Sequence, residues 1–233
     1  MMAPGAPPRP DAPVFRPVAD RAVLVEFGDT ISDAAHDQVL RLDRALATRP
    51  FAGFAEAVPA FVNLLVLFDP GQTDHAATTA ALRALLATAP DAPVRPTRHE
   101  VLVCYEEAPD LAQVAARCGL TQDAVINAHL AGDYQVFLYG FAPGYAYLAG
   151  LPPALRLDRK PAPVRGVAAG SVIIAGAQCL VTTLTMPTGW WRIGRSPSRI
   201  LTGDPARPFL FDVGDAVQFR RISAAEFDRR HHG

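Results

Sequence analysis

YQVFLYGFAPGYAYLAGLPP (residues 134–153), PVRGVAAGSVIIAGAQ (163–178) and MPTGWWRIGRSP (186–197) are the segments that decide the fold. In all three, glycine and proline stand beside aromatic residues or arginines. Proline fixes φ and glycine permits positive φ, so a hydrophobic chain this rich in both bends repeatedly at set points. The pattern favours a compact barrel of short strands joined by shaped loops.

Positive charge dominates the same region. Between Tyr134 and Gly203 the only carboxylate is Asp158, whereas six arginines and Lys160 lie there. The 233-residue chain has a formal charge of −1, but residues 1–133 hold 10 cations and 17 carboxylates and residues 134–233 hold 12 and 6. This contrast indicates different roles for the two halves, and the excess of arginine suits a site that holds an anion.

Several classes of protein are excluded by missing motifs. The three cysteines are far apart and form no CxxC pair, which argues against a disulfide framework and a cysteine zinc site and favours a reducing cytoplasm. Histidine and carboxylate residues lack metal-ligand clustering. Lys160 is the only lysine, so no P-loop motif occurs, and no GxGxxG follows a strand. The positive half is broken by loops, which disfavours nucleic acid as a partner.

The N-terminal sequence predicts no targeting segment. It lacks the apolar region of a signal peptide, and no later apolar run approaches the roughly 20 residues needed to span a bilayer. We therefore expect a soluble cytoplasmic protein that begins with a disordered leader rich in proline and alanine, residues 1–15.

A first α/β domain is predicted over residues 16–97. Hydrophobic periodicity indicates helices over 33–48 and 74–88, capped by Ser32 and Thr73. Strands are predicted at Ala22–Phe27, Phe54–Pro59, Phe61–Phe68 and His99–Tyr105. This order matches the ferredoxin-like split motif, although the last strand could belong to either domain because the best linker candidate, Ala89–Thr97, precedes it.

A β-barrel domain is predicted over residues 98–225, followed by a tail over 226–233. It opens with two short helices: Asp110–Cys118, ended by Gly119, and Thr121–Leu130, capped by Thr121. The strands predicted after them are Gln135–Tyr139, Gly170–Ala175, Cys179–Thr185, Trp190–Ile193 and Ala216–Ile222.

Four segments of the sequence resemble the family of the 5-oxoprolinase B subunit, also called allophanate hydrolase subunit 1. They are VPAFVNLLVLFDP (58–70), GFAPGYAYLAGL (140–151), GWWRIGRSP (189–197) and FDVGDAVQF (211–219). The family includes an inhibitor of a sporulation histidine kinase, and similar domains form part of the carboxyltransferase unit of urea carboxylase. The resemblance implies an α+β fold in which an N-terminal α/β domain precedes a cyclophilin-like β-barrel. Residues 179–183, CLVTT, depart from the threonine-led turn with glycine and proline that is usual in the family.

The resemblance also implies a substrate-binding site, while catalytic residues stay unknown. The implied residues are Tyr145, Tyr147, Arg165, Ser171, Gln178, Trp190 and Arg195. Each has a structural alternative: the arginines could hold loop carbonyls instead of an anion, and the tyrosines could be core residues instead of a pocket wall. Ser171 is not a predicted nucleophile, because GxSxG is absent and no histidine is near it in sequence.

The tryptophans and histidines have simpler interpretations. For the two adjacent tryptophans we expect one inward and one exposed side chain. For His129 we favour a hydrogen bond at the domain junction over a role as general base. His231 and His232 are assigned to the tail.

The function implied is that of the B subunit in an ATP-dependent 5-oxoprolinase complex, which opens the lactam of 5-oxoproline to glutamate. Phosphorylation of an amide oxygen eases cleavage and requires cationic clamps more than a local nucleophile. The resemblance implies partners similar to the C subunit (allophanate hydrolase subunit 2) and to the A subunit, with ATP bound in the complex. Because the sequence has no P-loop and no convincing pair of nucleophile and base, we expect no activity of this chain alone, and no ATP site is identified in its sequence. Two alternatives stay open: a regulatory protein that inhibits a histidine kinase, and an allophanate hydrolase or carboxyltransferase subunit.

Overall fold

The computed structural model describes residues 12–89 and 96–231 and separates into two compact units, Met1–Arg95 and Pro96–Gly233. Most of the predicted leader and of the predicted linker lies outside the described residues. Val14 and Phe15, which the leader included, form part of a strand. Among the described helices, none combines the length and the apolar character needed to cross a membrane.

The first unit is an antiparallel sheet of four strands packed against two helices. Its strands are β1 (Val14–Val18), β2 (Ala22–Glu26), β3 (Phe54–Pro59) and β4 (Asn63–Phe68), in the order β1-β2-β4-β3. Its helices are α1 (Asp33–Thr48) and α2 (His75–Thr88). Because side chains alternate along a strand, Leu64, Val66 and Phe68 of β4 lie on one face of the sheet and pack against α1. Their partners in this buried cluster are Val39, Leu42 and Leu46.

Local capping explains where these helices begin. The Ser32 hydroxyl accepts a hydrogen bond from the Ala35 amide at 3.3 Å, which confirms the predicted cap of α1. The predicted cap of α2 was wrong by one residue, because Asp74 and not Thr73 accepts from the Ala77 amide, at 2.8 Å. A carboxylate is the stronger partner for the positive end of a helix.

The ferredoxin-like strand order is not confirmed. The fourth strand was predicted at His99–Tyr105, but residues Arg98–Val103 form β5 of the second unit. The sheet position beside β2 is taken by β1, which pairs with β2 from Val14↔Glu26 to Val18↔Ala22. An N-terminal hairpin therefore completes the first sheet without β5.

The second unit is built around a sheet of seven strands in the order β12-β9-β10-β7-β6-β13-β5. Its strands are β5, β6 (Tyr134–Tyr139), β7 (Ala146–Ala149), β9 (Ser171–Ala175), β10 (Gln178–Val181), β12 (Trp191–Arg195) and β13 (Ala216–Arg221). A separate pair joins β8 (Val164–Val167) to β11 (Met186–Thr188). Sequence analysis missed β7, β8 and β11, which have only three or four residues each.

A backbone bridge brings the first and last strands of the large sheet together. Cys104, directly after β5, and Arg195, the last residue of β12, each donate an amide to the other's carbonyl oxygen at 2.8 Å. The sheet is therefore a nearly closed barrel, and the α+β class with a barrel domain is confirmed. Helices α3 (Leu111–Cys118) and α4 (Gln122–Leu130) contribute Val114, Val125 and Ile126 to its core.

The predicted ends of α3 and α4 are confirmed, but the C-terminal helix of this unit was not predicted. Gly119 has φ +65° and ends α3, and the Thr121 hydroxyl accepts from the Ala124 amide at 3.1 Å. The predicted tail instead contains most of helix α5 (Ala224–His231). Its Phe227 is 7% exposed and packs in a small cluster with Leu102, Cys104 and Ile222.

Candidate binding site on the outer face of the barrel

Strand alternation divides the barrel strands between two faces. Val172 and Ile174 of β9 belong to the main core, so Ser171, Ile173 and Ala175 lie on the opposite face. On β10, Cys179 and Val181 point into the core, whereas Gln178 and Leu180 share the face of Ile173 because Leu180 pairs with Ile173. We call this side of β7, β10 and β9, with the aromatic residues that flank it, the aromatic face.

Three of the predicted site residues pack together on the aromatic face. Tyr145 and Trp190 are buried in one cluster with Ile173, Ala175 and Leu180, and Tyr147 packs against it half-buried. The rings of Tyr147 and Trp190 meet edge to face with centroids 5.8 Å apart. Both tyrosines therefore face the same side, as the alternation of residues 145 and 147 predicts.

The two phenol groups of this cluster are available as hydrogen-bond donors. Neither hydroxyl has a partner within the part of the chain that the structure describes. Burial raises the pKa of Tyr145, helped by the nearby Tyr147. Burial also raises the pKa of Tyr147, against an opposing effect of the Arg159 charge. Both phenols therefore stay protonated at neutral pH and can donate to a carbonyl or carboxylate oxygen.

Ser171 and Gln178 lie at opposite ends of the aromatic face. Ser171 begins β9 and Gln178 pairs with Ala175 at its other end, roughly 13 Å away at about 3.3 Å per strand residue. The Ser171 hydroxyl donates to the Ala168 carbonyl oxygen at 2.8 Å, and its amide donates to Thr182 Oγ1 at 2.9 Å. These bonds make Ser171 part of a loop anchor. The Gln178 side chain, in contrast, has no hydrogen-bond partner among the described residues.

Arg195 lies beside Ser171 but packs against α5. The two residues are paired in the register of β12 and β9, so their side chains share one face. The Arg195 guanidinium carbon stands 4.2 Å from the ring centroid of Phe227, and its buried Nε has no hydrogen-bond partner within residues 12–89 and 96–231. This cation–π contact and the barrel-closing backbone bridge give Arg195 a structural role, and anion binding by Arg195 stays a prediction.

Arg165 lies apart from this cluster on the short β8–β11 pair. It is exposed and has no ion pair among the described residues. Its strand is connected to the aromatic face through Met186 of β11, which packs against the aromatic cluster. Arg165 is therefore free to reach a ligand, but no contact in the structure brings it to the tyrosines.

Two residues that sequence analysis missed adjoin the aromatic cluster. The Arg159 guanidinium lies 5.6 Å from the ring centroid of Trp190, which places an exposed cation at one side of the face. Phe141 is 73% exposed, has φ +68° and lies 5.7 Å from the Tyr145 ring. A bulky residue with positive φ is strained, and such strain concentrates at binding sites. The glycines and proline around Phe141 were the available signal.

Two other expectations need correction. Trp190 and Trp191 do face opposite sides, but both are buried, at 5% and 3% exposure, because the aromatic cluster covers Trp190. His129 bonds to Tyr105 and Cys179 inside the second unit, and so its predicted place at the domain junction was wrong.

We expect Phe141→Gly to raise the free energy of unfolding of the second unit by about 0.5–1 kcal/mol, because glycine adopts positive φ without steric cost. Urea unfolding followed by tryptophan fluorescence measures the change. The control is Phe141→Ala, which removes the ring but keeps the strained backbone and should give no gain. Equal stability of the two variants would show that the backbone at residue 141 is not strained.

The comparisons with known proteins agree on one family. A family model described as carboxyltransferase domain, subdomain C and D, matches residues 13–211. The chain is 32% identical over 223 residues to the 5-oxoprolinase B subunit of Bacillus subtilis (strain 168), with 90% of this chain and 93% of that protein covered. It is 34% identical over 208 residues to the 5-oxoprolinase B subunit of Escherichia coli O157:H7, covering 87% and 93% of the two chains.

A solved structure gives the same result for the fold. The crystal structure of the protein TTHA0988 superposes with a TM-score of 0.78 at 35% sequence identity, covering 88% of this chain. This chain spans only 40% of the length of TTHA0988, so that protein carries a large additional part on the same polypeptide. The matched residues include the motifs of the aromatic face and most of both units, and the chain belongs to the family of carboxyltransferase domain, subdomain C and D, proteins.

Proposed function

We propose that this chain is the B subunit of a 5-oxoprolinase complex that converts 5-oxoproline to glutamate with ATP. The observation that carries the proposal is the 32–34% identity to proteins named as the B subunit of 5-oxoprolinase, over 93% of their lengths. Identity of this extent over nearly whole chains supports a shared role and not only a shared fold.

The aromatic face has groups that suit this substrate. 5-Oxoproline is a small flat ring with one lactam carbonyl and one carboxylate. The exposed Phe141 and the half-buried Tyr147 and Met186, which lie at the edge of the buried cluster, offer an apolar surface for the ring. The phenols of Tyr145 and Tyr147 can donate to the carbonyl oxygen. Arg159 beside Trp190 and the unpartnered amide of Gln178 are the candidates for the carboxylate.

The chemistry that breaks the lactam is assigned to the complex and not to this chain. The hydroxyl of Ser171 is held by Ala168, and the described part of the aromatic face contains no histidine that could act as a base. ATP is proposed to activate the lactam oxygen by phosphorylation at a site that partner proteins complete. The proposed partners are proteins similar to the A and C subunits of 5-oxoprolinase. The TTHA0988 chain, of which this chain covers 40%, is consistent with a barrel domain that acts as part of a larger assembly.

We expect the purified chain to form no glutamate from 5-oxoproline and ATP, and to gain this activity when it is co-purified with proteins similar to the A and C subunits. Glutamate and ADP are measured together, and allophanate is offered in a parallel reaction. Glutamate formation by the chain alone would refute the need for partners. An assembled complex that turns over allophanate but not 5-oxoproline would refute the proposed substrate.

Within that complex, Tyr147→Phe should lower kcat/KM for 5-oxoproline about tenfold, since one hydrogen bond to a polar substrate group is lost. The matched control is Tyr139→Phe, because the Tyr139 hydroxyl donates to the Phe211 carbonyl oxygen at 2.7 Å and not to the aromatic face. That variant should lose about 1 kcal/mol of stability and keep its activity per folded complex. Unchanged kinetics for Tyr147→Phe would remove this phenol from the site.

A further inference from the structure

A polar concavity lies beside α5, next to the backbone bridge between Cys104 and Arg195, which we call the barrel seam. It is a cavity of about 340 Å³ between the segment that follows β12, the turn before β9 and the end of α5. The side chains that give it its chemistry are Thr182, Ser196, Ser198, Arg199 and Arg230. An adjoining cavity of about 470 Å³ shares Ser198 and Arg230 and adds Arg229 and Glu100.

The charge around the first cavity is positive and largely uncompensated. Arg199 is exposed and forms no ion pair among the described residues, and the same holds for Arg229. Arg230 is held by Glu226 of the preceding helical turn at 3.1 Å. No carboxylate is among the described residues that line the first cavity, and Glu100 of the second is already bonded to Arg220 at 3.0 Å. Both cavities therefore present arginine side chains that can bind an anion.

Two serine hydroxyls add neutral donors to the same wall. Ser196 Oγ accepts the Ser198 amide at 3.1 Å, and Ser198 Oγ accepts the Leu102 amide at 3.3 Å. A hydroxyl that accepts such a bond still has its own hydrogen to donate, and neither serine donates to another described residue. Ser196 is 3% exposed and lines the cavity.

The wall of the cavity is held rigidly by backbone contacts. The Ser196 amide donates to the Gly170 carbonyl oxygen at 2.7 Å. Gly170 has φ +81°, and a Cβ added there would stand 2.6 Å from the Ser196 carbonyl oxygen, so only glycine permits this approach. On the other side, the contact of Arg195 with Phe227 fixes α5, which brings Arg229 and Arg230 to the cavities. The backbone that carries the serines and arginines is thus positioned before any ligand binds.

We propose that this cavity binds a phosphate group, here named the seam phosphate site. Arginine forks match the oxygens of a phosphate, and hydroxyl donors beside them are typical of phosphate sites. The cavity volume of about 340 Å³ suits a phosphorylated small molecule. A second charged group of that molecule would lie near Arg229, the third arginine, in the adjoining cavity. The proposal is independent of the proposed function, because none of these side chains belongs to the aromatic face.

Isothermal titration of the full chain with pyrophosphate at physiological salt tests the site. Wild type should bind saturably, and Arg199→Gln should bind about tenfold more weakly, as expected for one lost charge-assisted contact. Arg199→Lys should lie between the two because it keeps the charge but not the fork. The matched control is Arg98→Gln, which removes an exposed arginine outside both cavities and should leave the affinity within about twofold.

Inorganic phosphate and ADP serve as the other two titrants. Tighter binding of ADP or pyrophosphate than of inorganic phosphate assigns a phosphorylated molecule, and the reverse order assigns free phosphate; the Arg199 dependence is required in either case. Absence of saturable binding of all three titrants overturns the proposal. Equal weakening by Arg199→Gln and Arg98→Gln also overturns it, because only the general field of the protein would then be acting. Thermal unfolding of each variant verifies that all are folded.

Discussion

Acidification from pH 7 to pH 3 should remove about 4 kcal/mol from the free energy of unfolding of the second unit through His129 alone, because His129 of the folded chain is only half protonated at pH 3. Burial lowers the pKa of His129 from 6.5 to about 3. Each unit of pKa difference between the folded and unfolded states corresponds to about 1.4 kcal/mol.

The surroundings of His129 explain the shift. The side chain extends from α4 into the core and is fully buried. Its Nδ1 is 2.7 Å from the Tyr105 hydroxyl, its Nε2 is 3.4 Å from Cys179 Sγ, and its ring lies 4.5 Å from that of Phe219. These partners are neutral, so they satisfy a neutral imidazole and bring no negative charge to offset the burial of an imidazolium. Between pH 6.5 and about 3 the unfolded chain therefore binds a proton that the folded chain does not, and stability falls as the pH falls.

Urea unfolding at a series of pH values measures this effect. Tryptophan fluorescence reports on the second unit specifically, because the only two tryptophans, Trp190 and Trp191, are both there. His129→Gln should be less stable at pH 7, since a buried ring and its bonds are lost, but its stability should depend much less on pH below 6.5.

Tyr105→Phe is the control for the His129 experiment. It removes the hydroxyl that bonds to Nδ1 but keeps His129 buried, and burial is the cause of its lowered pKa. Its stability should fall by about 1–2 kcal/mol at every pH while the wild-type slope is kept. A wild-type slope that survives in His129→Gln would show that other groups cause the acid sensitivity.

The helices were predictable because their signals are local. α1 spans the predicted residues 33–48, and Ser32 and Thr121 cap as expected. The strand β1 was missed because Pro17 argues against a strand. It is tolerated since β1 is an edge strand, where one side makes no ladder bonds. β5 was recognised as a strand, but its parallel partner β13 lies more than 100 residues away, and no local pattern identifies it.

For the candidate site, as for the fold, the local features were predictable and the long-range contacts were not. Alternation placed Tyr145 and Tyr147 on one side, and the aromatic cluster confirms that placement. The position of Arg195 depends on Phe227, in a segment that sequence analysis assigned to a tail, so its stacking could not be foreseen. Arg199 and Arg230 were not singled out because their shared cavity exists only once α5 packs beside the barrel seam.

Asp110 organises a second buried network, which joins α3 to β12. One of its oxygens, Oδ2, accepts from Lys160 Nζ at 2.5 Å, from the Arg192 amide at 2.8 Å and from Arg192 Nε at 3.1 Å. The side chains of Asp110 and Lys160 are 9% and 10% exposed. Because these bonds occupy the carboxylate, Asp110 stands at the N-cap of α3 without a side-chain cap bond. Lys160 also lies 5.1 Å from the ring centroid of Trp191, which ties the network to the core.

We expect Asp110→Ala to destabilise the second unit by about 3–5 kcal/mol, because it leaves the cations of Lys160 and Arg192 in a poorly solvated place without their shared partner. The same urea titrations measure it. Asp123→Ala is the control, since Asp123 is 81% exposed and lies 3.8 Å from Arg221, and it should change stability by less than about 1 kcal/mol. Similar losses for both variants would show that Asp110 acts as an ordinary surface charge.

The stability contributed by Asp110 and the stability contributed by His129 are lost over different pH ranges. Burial opposes ionisation of Asp110, but the hydrogen bonds from Arg192 and Lys160 outweigh it and hold the pKa of Asp110 below its ordinary value of 3.8. A carboxyl with a lowered folded pKa contributes its full stability above its unfolded pKa and loses it as the pH falls through the folded pKa. The difference between wild type and Asp110→Ala should therefore be equal at pH 7 and pH 5 and narrow only below about pH 4. A difference that already narrows at pH 5, where the loss through His129 has begun, would show that the Asp110 network is coupled to the barrel core.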